Sequence, residues 1–161
     1  MIVHEYGHSV QDGQVPGFGT NLESGSIGEA FGDYLAVAVS SWAAGVPTKT
    51  PEACVADWDS TSYTSSEPHC LRRLDGNKHY PEDVVGEVHA DGEIWSRALW
   101  DIRKSLGDTK ATTLIIDAQF GFSLDISFAA AARATVATAQ RLYGISAAHA
   151  VTNAFAARGI L

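Results

Sequence analysis

Near its start the chain carries two histidines four positions apart, with a glutamate directly after the first: His4-Glu5-Tyr6-Gly7-His8. On a helix, residues at this spacing project the same way, about one turn apart. Two imidazole nitrogens placed so can reach a single Zn2+ at roughly 2.0–2.1 Å each. Glu5, next to the first histidine, can reach a water on such a metal without binding the metal, and is placed to act as general base. Taken alone, the pattern also fits two surface histidines on a helix.

A second cluster, Gly28-Glu29-Ala30-Phe31-Gly32-Asp33, follows a loop. A helix–loop–helix turn of this length can fold back on the first helix, so that Glu29 completes a two-histidine, one-glutamate ligand set. Asp33 comes one turn after Glu29 on the same face, where it can take the second ring N–H of a ligand histidine and fix its tautomer. Ile27, Phe31, Tyr34 and Leu35 surround both acids, which speaks for a buried helix and against a solvated acidic face. A third cluster, Gly86-Glu87-Val88-His89-Ala90-Asp91-Gly92-Glu93-Ile94-Trp95, puts His89 at the start of a helix. A histidine there can donate to an oxyanion; by itself it would also serve as a capping or core residue.

Helices must position these groups. Residues 1–12 form the first, and 13–24 a Gly/Pro/Asn loop. The second runs from Gly25 to about Ala44, with Ile27, Ala30, Phe31, Tyr34, Leu35 and Ala38 at helical spacing. Positions 45–86 hold four of the five prolines and both cysteines, and read as a long, partly irregular loop that is either functional or pinned down. Val88–Leu106 is strongly amphipathic. Asp108 is expected to cap a helix through Thr112 to Phe120, Asp125 or Ser127 one ending near Tyr143 with Gly144 as its stop, and Ser146 one reaching about Ala157, before Gly159. The fold class is therefore mainly α. One domain, or part of one, spans 1–161, divided into a metal-binding helix pair (1–44), the loop (45–86) and a helical subdomain (87–161).

The 161 residues suffice for a real core. A formal net charge of -8 argues against nucleic acid as a partner, since phosphates need a basic face. No apolar run is long enough to cross a bilayer. Met1-Ile2-Val3-His4 has neither the charged nor the apolar region of a signal peptide, and reads as the edge of a longer precursor. Cys54 and Cys70 contain no Cys-x-x-Cys zinc pattern. A disulfide between them would close a loop of about 15 residues, worth roughly 3 kcal/mol, and would persist in an exported protein; two free thiols are the alternative. Asp57 and Asp59 offer oxygens to a Ca2+, or simply a solvated turn. His69, His79 and His149 are not expected as ligands, and Trp42, Trp58, Trp95 and Trp100 are expected to anchor the core or loops.

In order and spacing, Val3-His4-Glu5-Tyr6-Gly7-His8, Gly28-Glu29-Ala30-Phe31-Gly32-Asp33-Tyr34 and Glu87-Val88-His89 leading to Gly92-Glu93-Ile94-Trp95 resemble the thermolysin-like gluzincin metalloproteases, and most closely the fungalysin family. The resemblance runs nearly end to end, loosely after Leu106. It implies the helical C-terminal lobe of a secreted zinc endopeptidase acting on proteins or peptides. His4, His8 and Glu29 would be the zinc ligands, Glu5 the base that activates water, Asp33 the partner of a ligand histidine, and His89 the oxyanion donor. Arg72 or Arg73 would bind the substrate carbonyl. Such enzymes place an aspartate before the Val-His pair to orient the histidine; Val84 and Val85 stand there here, with Asp83 and Glu87 on either side. They also carry an N-terminal β-rich lobe and a pro-region, both absent from this chain, which is expected to be monomeric. An aminopeptidase on the same zinc core and an inert, zinc-binding helical module are the competing readings.

Overall fold

Apolar residues recurring every three to four positions build the frame that carries the three clusters. The computed structural model describes residues 1–44 and 50–161; the first positions of the expected irregular segment, 45–49, lie outside the described residues. In chain order the elements are α1 (Ile2–Gln14), α2 (Leu22–Ala44), β1 (Cys54–Val55), α3 (Asp57–Ser60), β2 (Arg72–Arg73), α4 (Val88–Leu106), α5 (Asp108–Gln119), α6 (Phe128–Tyr143) and α7 (Ile145–Ala156). The mainly α class read from the sequence is borne out.

Helix α2 is the central rod. It packs against α1 along one side and α4 along another. Ile27, Phe31 and Tyr34 of α2 and Ile94, Trp95, Ala98, Leu99 and Ile102 of α4 are all buried. Burying each large side chain contributes roughly 1.5–3 kcal/mol. Trp95 carries the contact onward: it stacks on Phe128 of α6 at 5.5 Å and meets Phe155 of α7 at 4.7 Å between ring centroids. Of the four tryptophans, Trp95 and Trp100 are buried, whereas Trp42 and Trp58 are exposed and anchor neither core nor loop.

Several helix boundaries differ from the sequence reading, each for a local reason. Helix α1 reaches Gln14 and stops where Val15 is held extended before Pro16. Helix α2 starts at Leu22, before Gly25, because Asn21 caps it: Ser24 N donates to Asn21 Oδ1 (2.9 Å), and Asn21 N donates back to Ser24 Oγ (3.1 Å). Asp108 is the first residue of α5, not its cap. Gly107 holds the cap position at φ +80°, and the Asp108 carboxylate accepts from Arg103 Nε at 2.9 Å. Ser127, not Asp125, caps α6 by accepting from Ala130 N. Ser146 lies within α7, which begins at Ile145 after Gly144 at φ +83°.

The segment from 50 to 86 is irregular but firmly tied. Cys54 and Cys70 form a disulfide. Strands β1 and β2 pair antiparallel, Cys54 with Arg73 and Val55 with Arg72. Ala53, Val55 and Leu74 reach into the core. Arg97 of α4 donates to the carbonyls of Asp75 (2.9 Å) and Gly76 (2.7 Å), and Lys78 donates to the carbonyl of Ala90 (2.8 Å). These bonds fix the segment over the α2–α4 pair. Among the described residues no helix is long and apolar enough to cross a membrane.

Candidate metal centre

Glycines decide how closely α1 lies on α2. A Cβ at Gly7 would stand 3.0 Å from the Gly32 Cα, and a Cβ at Gly32 would come within 2.8–3.0 Å of the His4 ring. On the same face, a Cβ at Gly28 would meet the Gln11 Oε1 at 3.0 Å and the His8 Nδ1 at 3.9 Å. The two imidazoles therefore rest on a strip of α2 that has no side chains, with Glu29 and Asp33 beside it. The buried Gln11 side chain donates to Gln119 Oε1 at 2.7 Å, tying α1 to α5 as well.

On this platform His4, His8 and Glu29 converge. His4 Nε2 lies 3.1 Å from Glu29 Oε2 and 3.2 Å from His8 Nε2, and His8 Nε2 lies 3.6 Å from Glu29 Oε1. Ligand atoms about 2.0–2.1 Å from a tetrahedral Zn2+ stand roughly 3.3 Å apart, so these separations fit one zinc ion. Among the described residues this is the one group of three or more His, Cys, Asp or Glu side chains that converges so.

The hydrogen-bond pattern is compatible with the same ion. His4 Nδ1 donates to Asp33 Oδ1 at 2.8 Å, so in a neutral ring Nε2 carries a lone pair. That lone pair faces the Glu29 carboxylate and the His8 nitrogen, a position that a proton or a metal ion can fill. In the metal-free protein a proton fills the role. Burial opposes charge on His4, but hydrogen bonds to Asp33 and Glu29 outweigh it and push its pKa up to about 9. Glu29 is held below the usual carboxylate range: burial opposes this, and the hydrogen bond from His4 with the nearby His89 and His8 overcomes it.

Asp33 is itself clamped. Arg72 donates to its two oxygens through Nε (2.6 Å) and Nη2 (2.7 Å), which with His4 keeps the buried carboxyl ionised against burial. Arg73, the next residue on β2, turns away and pairs with Asp75 (2.7 Å). Strand alternation sends consecutive side chains to opposite faces, and could have told the two arginines apart had the two-residue strand been recognised.

His89 enters from the first turn of α4, its Nε2 3.1 Å from Glu29 Oε2. Its other ring nitrogen meets Glu87 Oε1 at 2.7 Å. Glu87 also caps α4, accepting from His89 N (3.0 Å) and Ala90 N (2.9 Å). Asp83 is occupied elsewhere, accepting from His79 N at 2.7 Å. Nothing in the sequence favoured Glu87 over Asp83, because glutamate is not among the usual capping residues. Glu5 is exposed on α1, and its carboxylate has no partner among the described residues. Asp57 serves a turn, accepting from Thr50 Oγ1 and Trp58 N, and among the described residues no set of acids suited to Ca2+ gathers around it and Asp59. His69, His79 and His149 stay outside the cluster.

Comparison with known proteins accords with this geometry. The family model for the thermolysin metallopeptidase, alpha-helical domain, matches residues 17–160, beginning just after α1. An extracellular metalloproteinase 4 of Trichophyton rubrum is 29% identical over 121 aligned residues, covering 67% of this chain and 18% of the relative. The proteins of the same name from Trichophyton tonsurans and Trichophyton soudanense are each 28% identical over 121 residues, again covering 67% of this chain, and 18% and 29% of the relatives. The aligned part of the chain thus spans less than a third of the length of each of these relatives. The resemblance to fungalysin-type, thermolysin-like metalloproteases is borne out, and the chain belongs to the family of the thermolysin metallopeptidase alpha-helical domain.

Proposed function

We propose that this chain is the helical part of a secreted zinc endopeptidase of the fungalysin type. The observation that carries the reading is the convergence of His4, His8 and Glu29 at tetrahedral ligand separations, with the outer nitrogen of His4 held by a clamped aspartate. Zinc, when bound there, supplies Lewis-acid activation of water and of the peptide carbonyl.

The chain's own residues divide the remaining work. Glu5 takes a proton from the attacking water and returns it to the leaving amine. Its exposure and lack of a partner leave the carboxylate free for that transfer. His89 points Nε2 toward the cluster and donates to the oxygen that gains negative charge. Arg72 is the better of the two candidates for contact with the substrate carbonyl, since its bond to Asp33 holds it beside the cluster while Arg73 turns away to Asp75. Relatives named as extracellular, together with a disulfide that persists only in an oxidising compartment, support export. The larger relatives leave room for an N-terminal lobe and a pro-region in the same precursor.

Glu5→Gln tests the reading in the full-length enzyme. The variant is expected to retain its zinc and to lose peptide cleavage by at least about 100-fold, the scale of a positioned general base. Turnover at the wild-type rate would remove Glu5 from the reaction.

A further inference from the structure

We propose that Glu87 is the positioning residue for His89, in place of the aspartate that Val84 and Val85 displace. The proposal rests on the role given to His89 above, and goes beyond it by naming the group that aims the ring. Glu87 carries two functions on one side chain. Oε2 accepts from Ala90 N at 2.9 Å, which caps the helix. Oε1 accepts from both His89 N (3.0 Å) and the His89 ring Nδ1 (2.7 Å). An imidazole tied at Nδ1 to its own helix cap cannot rotate freely, although it is 47% exposed. Its Nε2 is then directed at the cluster, 3.1 Å from Glu29.

The turn that delivers Glu87 is fixed by a second, buried carboxylate. Asp91, 1% exposed, accepts from Val85 N (2.8 Å) and Gly86 N (3.0 Å), while its own N donates to the Glu87 carbonyl (2.8 Å). Gly86 adopts φ +84°, a conformation that side chains disfavour, so the chain reverses at that point and the cap meets the helix. The aiming of His89 is thereby built into the start of α4 and needs no acid from a distant loop.

Capping and aiming separate by substitution. Glu87→Ser keeps a strong N-cap but cannot reach the ring, whereas Glu87→Gln keeps an acceptor at the ring. The test is the nitrogen NMR spectrum of the His89 imidazole, assigned by its loss in His89→Asn and recorded with and without added zinc. In the wild type and in Glu87→Gln, the Nδ1 proton is expected to be held in a hydrogen bond and to exchange with water more slowly than in a free imidazole. In Glu87→Ser the Nδ1 proton is expected to lose this protection and the ring signals to broaden, with the melting temperature unchanged. In a cleaving form of the enzyme, the same serine variant should lower kcat roughly tenfold or more and leave KM nearly constant, and glutamine should restore most of the loss. A His89 spectrum identical in the wild type and Glu87→Ser would overturn the proposal. Failure to take up zinc would count against the metal centre instead, because the Nδ1 lock is read in the metal-free chain as well.

Discussion

At the scale of single residues, His4 holds a proton at the nitrogen where, on the function proposed, a zinc ion would bind. Its pKa is pushed up to about 9 from 6.5, so in the metal-free protein it contributes stability that is complete below about pH 6.5 and disappears as the pH rises through about 9. Metal binding at the proposed centre would run the other way, because zinc must displace that proton. Zinc affinity is therefore expected to rise about tenfold per pH unit below about 9. Calorimetric melting of loaded and metal-free protein should show a gap that widens from pH 6.5 to 9; a constant gap would mean that His4 is not a ligand. Asp33 adds the opposite limb. Its lowered pKa gives stability above the ordinary aspartate range that is lost as the pH falls through the lowered value. The candidate ligand set was legible at this scale, since the spacing of HExxH and of the Glu-x-x-x-Asp pair named the residues that the fold brings together. The clamp of Arg72 on Asp33 was not, because it joins residues 39 positions apart through a strand of two residues.

At the scale of elements, the centre depends on how near α1 comes to α2. Gly32 is the tightest point, where an added Cβ would come within 3.0 Å of three His4 ring atoms. Gly32→Ala should therefore move the helices apart, destabilise the fold by about 1–3 kcal/mol and weaken zinc binding at the same time. Thermal melting and zinc titration of the variant measure the two effects; wild-type zinc affinity would show that α1 has room to shift without moving its histidine. The amphipathic periods of α2 and α4 announced these helices clearly. Their ends were less legible, because capping is set by side-chain geometry: Asn21 with Ser24 extends α2, and a glutamate caps α4 where serine, threonine or aspartate would be expected.

At the scale of the whole molecule, the segment from 50 to 86 behaves as a strap across the helices. It brings Arg72 to Asp33 and ends in the turn before α4. Composition alone reads this stretch as a loop; its disulfide, its ladder and the bonds from Arg97 and Lys78 make it part of the fold. Replacing both cysteines by serine should cost about 3 kcal/mol, since the bond closes a loop that would otherwise be free in the unfolded chain. Thermal denaturation checks this, and no loss of stability would mean that the other bonds alone hold the strap. Whether the three residues hold a metal is read from the zinc content of the purified chain, measured by elemental mass spectrometry beside Glu29→Ala. About one zinc per folded chain, lost in the variant, is expected; a folded chain without zinc, or a variant that keeps it, would exclude the three-ligand centre.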